Sequence, residues 1–494
     1  MSASLRGSSV FDSPESNPFE DQQRFSSFHG HPPNASGSPR FPHPTENEIP
    51  SSRASLRKTT SGRSSTGYDG SHLTDIEKIL PTDTIPRLYL GIPQDAERGK
   101  HTEDSTEVNS IKDGAQEPSR PKLGIRERLQ HFTWAWYTLT MSTGGLSLLI
   151  RAQPHQFRGL RQIGLAVYVI NIVLFVLVTA TLAARFVLFP GTFRKSVTHP
   201  REGFFFPTFF LSIATLITST QRYWVPADAE LARTTAKGLL WAIQIAFWIY
   251  VSLTTSVAVG QYSYIFSAHS FGLQTMMPTW ILPIFPIMLS GTIASVICET
   301  QPAAAGVRIV VAGLTCQGLG IAVAFMMYAH MVGRLMQSGL PNREHRTGLF
   351  MCVGPPAFTA LAFIGMARGL PEDFDHDMDG LIDAAFIETM GLVGAGFLWA
   401  LSFWWFGIAL LAVAQSPPRY FHLGWWAAVF PNTGFTLATI SLGMSFKNEP
   451  ILWFATAMSV LLVLTYLFVL FHHVRAVIVQ DIMYPGRDED VEDH

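Results

Sequence analysis

An all-α membrane protein of ten transmembrane helices, paired as five hairpins around a central pore, is the fold class the sequence predicts. Two observations carry that expectation. Between about Arg126 and Val479 the chain holds ten apolar runs, each at or above the ~20 residues that cross a bilayer as a helix. Every second run, beginning with the first, is interrupted by glycine or proline with hydroxyl residues close by.

The expected spans are 131–150, 161–189, 203–223, 237–266, 277–298, 303–333, 347–367, 383–414, 421–444 and 450–474. The first contains MSTGG, with Gly144 and Gly145 as its breakers; the third contains FFFPTFF, with Pro207. The fifth reads LPIFPIMLSGT, with Pro283 and Pro286, and the seventh VGPPAFTAL, with Pro355 and Pro356. The ninth reads VFPNTGFT, with Pro431. Backbone groups left unpaired in hydrocarbon cost several kcal/mol, so interrupted spans belong inside the protein or against a watery cavity. The even-numbered spans are mostly unbroken and rich in Leu, Ile, Val and Phe, and suit an outer, lipid-facing layer.

Internal repetition supports the pairing. Pro207, Pro286, Pro356 and Pro431 are spaced 79, 70 and 75 residues apart, close to one helical hairpin with its loops. Small and hydroxyl residues follow each proline, and a fixed period is the mark of a repeated supersecondary unit.

Composition divides the chain. Overall it is 48% hydrophobic and 15% charged, with a mean hydropathy of only +0.22, because residues 1–125 are rich in Ser, Pro, Gly and charged residues. Such a segment buries too little apolar surface to offset its ordering entropy; it is expected to be a disordered cytoplasmic tail. Residues 126–479 form the ten-helix domain and 480–494 a short cytoplasmic C-terminal tail. The first thirty residues carry no apolar signal-peptide core. Arg120, Lys122, Arg126 and Arg128 precede the first span, and more Lys and Arg lie on that side than opposite, which predicts cytoplasmic termini. Cys298, Cys316 and Cys352 fall in or beside apolar runs without metal-ligand spacing and read as buried thiols. No catalytic constellation, metal site, cofactor or nucleic-acid partner is expected. The sequon at Asn34 would not meet the glycosylation enzyme on a cytoplasmic tail.

Polar side chains on the broken spans outline a path. Thr133, Thr140, Ser142, Thr143, Ser212, Thr215, Ser290, Thr292, Thr359, Asn432, Thr433 and Thr436 could replace part of the hydration shell of an anion, aided by the positive ends of half-helices at the breaks. Each taken singly could equally bond its own helix backbone. Arg368, closing the seventh span, reads as a bidentate carboxylate clamp or as a snorkelling interfacial arginine. Arg185 suits snorkelling or a structural ion pair. Glu388, inside the eighth span, and His131, at the start of the first, are the candidates for proton coupling; Glu388 could instead pair with an arginine.

At RLQHFTWAWYTLTMSTGG, PTWILPIFPIMLSGTIAS, FMCVGPPAFTALAFIGMARG and WWAAVFPNTGF the chain resembles the fungal malic acid transporters, C4-dicarboxylate carriers of the tellurite-resistance/dicarboxylate transporter family, related to the plant slow anion channels. The resemblance extends to DIMYPGRDED and covers about Arg126 to Asp490. It implies a plasma-membrane homotrimer with one pore per subunit, transporting malate and related dicarboxylate anions. It also implies that Phe430, just before the proline of the ninth helix, is a gate. The alternative within the same fold is a sulfite efflux pump or a gated inorganic-anion channel.

Two further segments are notable. The loop from Asp375 to Asp383 has the opening of a calcium-binding loop, but Phe386 stands where a bidentate Glu is required, so an acidic solvated loop is expected. Ser55, Thr59, Thr60, Ser64 and Ser65 lie beside arginines in the N-terminal tail and suit a basophilic protein kinase.

Overall fold

The computed structural model describes residues 121–371, 373–375 and 381–489. The polar N-terminal tail, with the Asn34 sequon and the expected kinase sites, lies outside the described residues, as do residues 376–380 of the acidic loop.

Among the described residues every named element is helical. Ten helices organise the chain: α1 (Tyr137–Arg151), α2 (Leu160–Leu188), α3 (Thr208–Trp224), α4 (Lys237–Ala268), α5 (Phe285–Ile297), α6 (Ala303–Ser338), α7 (Gly354–Arg368), α8 (Ala384–Gln415), α9 (Phe430–Ser445) and α10 (Glu449–Val479). Eight helical segments are long and apolar enough to cross a membrane. The other two, α1 and α9, have 15 and 16 residues.

The even helices are long and unbroken, and their bounds follow the apolar runs closely. They leave side chains such as Val173, Val176 and Leu177 on α2, or Phe468 and Phe471 on α10, exposed. Large contiguous apolar faces of this kind are costly in water and match hydrocarbon.

The odd helices are mostly buried, and each is preceded by a 3₁₀ segment: Trp134–Trp136, Glu202–Phe205, Pro278–Ile284, Arg343–Val353 and Leu423–Ala428. Here the expectation of helices broken at mid-span is corrected. Pro286, Pro355, Pro356 and Pro431 lie in the first turn of their α segments, and Pro207 immediately precedes α3. Proline has no N–H to donate, and the first turn has no use for one, so the ring starts a helix there at little cost. Pro283 lies inside the 3₁₀ segment. Gly144 and Gly145 do not break α1, which runs through MSTGG as continuous helix. They permit close approach instead. A Cβ on Gly144 would sit 2.2 Å from Thr215 Oγ1 and 2.7 Å from Asn171 Nδ2.

The odd helices touch in a closed cycle: α1 packs on α3, α3 on α5, α5 on α7, α7 on α9, and α9 on α1. The even helices lie outside it, α2 on α1, α4 on α5, α6 on α5, α8 on α7 and α10 on α9. Small residues set the tightest of these contacts, as in membrane helix pairs generally: a Cβ on Gly313 of α6 would lie 2.4 Å from Ala294 Cβ of α5.

One buried ion pair fixes the entry to α3. Arg185 Nη1 donates to Glu202 Oε1 at 2.6 Å and to the Phe132 carbonyl at 2.8 Å, and Ser196 Oγ donates to the same Glu202 oxygen at 2.6 Å. Both charged side chains are almost fully buried. Of the two sequence readings of Arg185, the ion pair is the one present. After α10 the chain folds back: Gln480 Oε1 accepts from Leu123 N, and Arg487 lies over the Tyr420 ring.

Candidate functional site

Residues from all five odd helices enclose one central cavity. Gly145 and Leu148 of α1, Thr215 and Thr218 of α3, Thr292 of α5 and Thr433 of α9 line it, together with apolar neighbours. Phe358 of α7 and Phe430 of α9 also line it. The space open to a water-sized molecule is about 20 Å³, room for about one water.

Three phenylalanines close this space where α5, α7 and α9 begin. Phe358 and Phe430 are stacked at 5.1 Å between centroids, Phe285 meets Phe358 edge-on at 5.9 Å, and Phe285 meets Phe430 edge-on at 6.1 Å. All three are buried. Aromatic rings at such spacings attract one another and exclude water without a rigid covalent plug. Glycines make room for them: a Cβ on Gly434 would lie 2.6 Å from the Phe358 ring, and one on Gly354 would lie 2.7 Å from Phe285 Cζ.

The sequence-predicted donors divide by direction. Thr292, Thr433 and Thr215 reach the cavity beside the expected breaker Gly145, and Thr292 Oγ1 is buried there without a hydrogen-bond partner among the described residues. Thr433 and Thr215 also return bonds to their own helices, at Val429 O and Ser212 O. Ser142 is buried with a hydroxyl that has no partner among the described residues, and Ser290 is buried beside Cys316. Thr140 and Ser212 bond each other at 2.6 Å across α1 and α3.

Other predicted residues face outward. Thr143 bonds Tyr466 on α10 at 2.9 Å, and Thr359 accepts from Gln317 on α6 at 2.7 Å. Asn432 and Thr436 line a separate groove between α8 and α10 rather than the central cavity. Thr133 donates to Glu489 of the C-terminal segment at 3.0 Å. His131 follows the short helix Ile125–Gln130 and is half-buried.

Glu388 is exposed, and its Oε1 lies 3.5 Å from Arg368 Nε, the arginine pairing that the sequence also allowed. Arg368 also donates to Ser445 Oγ on α9 at 2.7 Å. Its fork is thus engaged by the chain itself.

Sequence reasoning missed Phe285 and Phe358. A signal existed for the first, because Phe285-Pro286 repeats Phe430-Pro431 in the equivalent hairpin. It is not sufficient by itself, since Phe206-Pro207 has the same form and packs on Trp134 at 4.8 Å. Asn171, buried on an outer helix with both amide atoms unpartnered, was also missed.

Comparison with known proteins adds the following. Residues 131–474 match the family described as voltage-dependent anion channel. The chain is 36% identical over 374 residues to the malic acid transport protein of Schizosaccharomyces pombe, covering 75% of this chain and 84% of that protein. It is 25% identical over 327 residues to the sulfite efflux pumps of Trichophyton rubrum and Arthroderma benhamiae, covering 65% of this chain and 84% of each pump.

Proposed function

The chain belongs to the voltage-dependent anion channel family, and on that premise we propose that it is a transporter, not an enzyme, carrying malate and related four-carbon dicarboxylates across a membrane. The observation that carries this reading is the closed cycle of five buried helices around a hydroxyl-bearing cavity sealed by phenylalanines. The likeness to the malic acid transport protein selects the substrate. We read α1 and α9, with their 3₁₀ leaders, as completing ten spans in five hairpins, with the cavity on the pore axis.

Phe430 is the gate in this reading, and Phe358 and Phe285 are its counterparts. Thr292, Thr433, Thr215 and Ser142 offer donors to an anion that has shed water, which otherwise costs several kcal/mol per charge. A space of this size admits a dicarboxylate only when the rings move apart. A homotrimer in the plasma membrane, with both termini cytoplasmic and a kinase-accessible tail, completes the proposal.

Uptake of labelled malate and of sulfite into liposomes holding the purified full-length chain, with and without a pH gradient, tests it. Saturable malate uptake exceeding sulfite flux is expected. Sulfite flux without malate uptake would assign the chain to the sulfite reading instead. Dependence on the gradient would establish proton coupling.

A further inference from the structure

The cavity-lining faces of α1 and α3 can be followed beyond the cavity, away from the phenylalanine seal. Leu148 and Thr218 line it, and the residues three and four positions on, Arg151 and Arg222, occupy the same faces one turn nearer the mouth. Each lies in the last turn of its helix. Arg222 is exposed and Arg151 is half-buried.

Several cations on that side have partners. Arg368 engages Glu388 and Ser445. His155 lies 3.6 Å from Glu449 and stacks on Trp453, and Arg233 donates to the Glu299 carbonyl. Arg151 and Arg222 differ. Among the described residues neither guanidinium has a carboxylate within ion-pair distance or a hydrogen bond to protein, and Arg151 Nε is buried with no partner. The two are within electrostatic reach of each other, Arg161 adds a third positive charge, and Glu299 is the acidic neighbour of Arg222.

Basic residues in a last helical turn ordinarily offset the negative end of the helix dipole, often by bonding the terminal carbonyls. No such bond is made by either guanidinium. Two guanidiniums held near each other without a counter-charge form an arrangement that an anion completes.

We propose that Arg151 and Arg222 form an anion-capture site at the mouth where α1 and α3 end, binding the carboxylates of a dicarboxylate dianion before it enters or after it leaves the cavity. The proposal rests on the transport reading above and adds the site that favours dianions over monovalent anions.

The experiment measures KM and maximal rate for labelled malate, and competition by acetate, in liposomes with the full-length protein and its Arg151→Gln, Arg222→Gln and Glu299→Gln variants. Either arginine change is expected to raise the malate KM by about tenfold, the loss of one charge-assisted contact, with the maximal rate retained and acetate competition less affected. Glu299→Gln is expected to lower the malate KM, because it removes a repelling charge from the mouth. Where a glutamine variant does not fold, the Lys variant replaces it; the expected result is a smaller rise in KM with the charge kept and the fork lost. Malate-induced thermal stabilisation of the purified protein, weakened in the arginine variants, is the second readout. Unchanged KM in the arginine variants overturns the site, as does a fall in maximal rate alone, which would make both arginines helix-end structural residues. Absence of malate uptake and of malate stabilisation in the unaltered protein would defeat the transport reading itself.

Discussion

Phe430 and Phe358 stack with centroids 5.1 Å apart and planes 27° apart, although they come from different helices of the cycle. The contact joins α7 to α9 at the closed end of the cavity.

Phe430→Ala is therefore expected to raise anion flux while lowering thermal stability. Removing a phenyl ring from a packed core costs about 3–5 kcal/mol, and the same loss opens the narrowest part of the path. Flux per inserted protein and melting temperature in detergent check the two signs together. Reduced stability with unchanged flux would make Phe430 packing alone. Pro431→Ala is expected to change little, since the proline replaces no hydrogen bond in that first turn.

Gly434→Ala tests the same seal from behind. Its new methyl would lie 2.6 Å from the Phe358 ring, so the ring must turn away from Phe430 or the helices must separate. Overpacking of this kind costs about 1–3 kcal/mol. Raised basal flux is expected, and combining the change with Phe358→Ala should cost less than the sum of the two single changes, because the clash is gone once the ring is removed. A Gly434→Ala protein with normal flux and normal melting would show that the seal yields without opening.

The apolar runs made the outer helices legible almost residue by residue: 161–189 became Leu160–Leu188, and 450–474 became Glu449–Val479 with its ends extended. Lipid-facing helices need only continuous hydrophobicity, which a sequence displays directly. The inner helices were legible as exceptions, but the meaning of their prolines was not, because a 3₁₀ leader and a mid-span kink place proline in the same apolar surroundings. Side-chain direction was the least legible. Thr359 and Thr433 look alike in sequence, yet one bonds Gln317 outside the cycle and the other lines the cavity. Helical phase decides between them, and without straight, uninterrupted helices the phase could not be counted from a known face.

The Arg185–Glu202 pair yields a prediction about stability. Glu202→Gln leaves a buried guanidinium without its counter-charge, a change that typically costs about 3–5 kcal/mol. Arg185→Met combined with Glu202→Leu removes both charges and is expected to recover much of that loss. Thermal unfolding of the three proteins in detergent measures it. A single variant as stable as the unaltered protein would mean that water reaches the pair.

Glu388 is the test of where a proton could ride. Its side chain is 54% exposed and that of its partner Arg368 is 33% exposed, and a solvent-screened pair of this kind contributes about 0–1 kcal/mol. Glu388→Gln is expected to leave both melting and the pH dependence of malate uptake unchanged. A shifted pH profile would instead assign the proton to this carboxylate.

Deleting residues 1–118 is expected to leave substrate selectivity and insertion unchanged. That segment is too polar to contribute a core, whereas the helices that enclose the cavity begin at Tyr137. The retained cations are essential to the design of the test. Arg126 and Arg128 help fix the first span by the positive-inside rule, and Arg128 Nη2 also donates to the Val477 carbonyl at 2.7 Å, tying the start of the domain to the end of α10. Competition of labelled malate by a panel of anions compares the truncated and full-length proteins. An altered maximal rate with the same anion order would make the tail regulatory, in keeping with its arginine-flanked serines; an altered order would place part of the selectivity outside the helices.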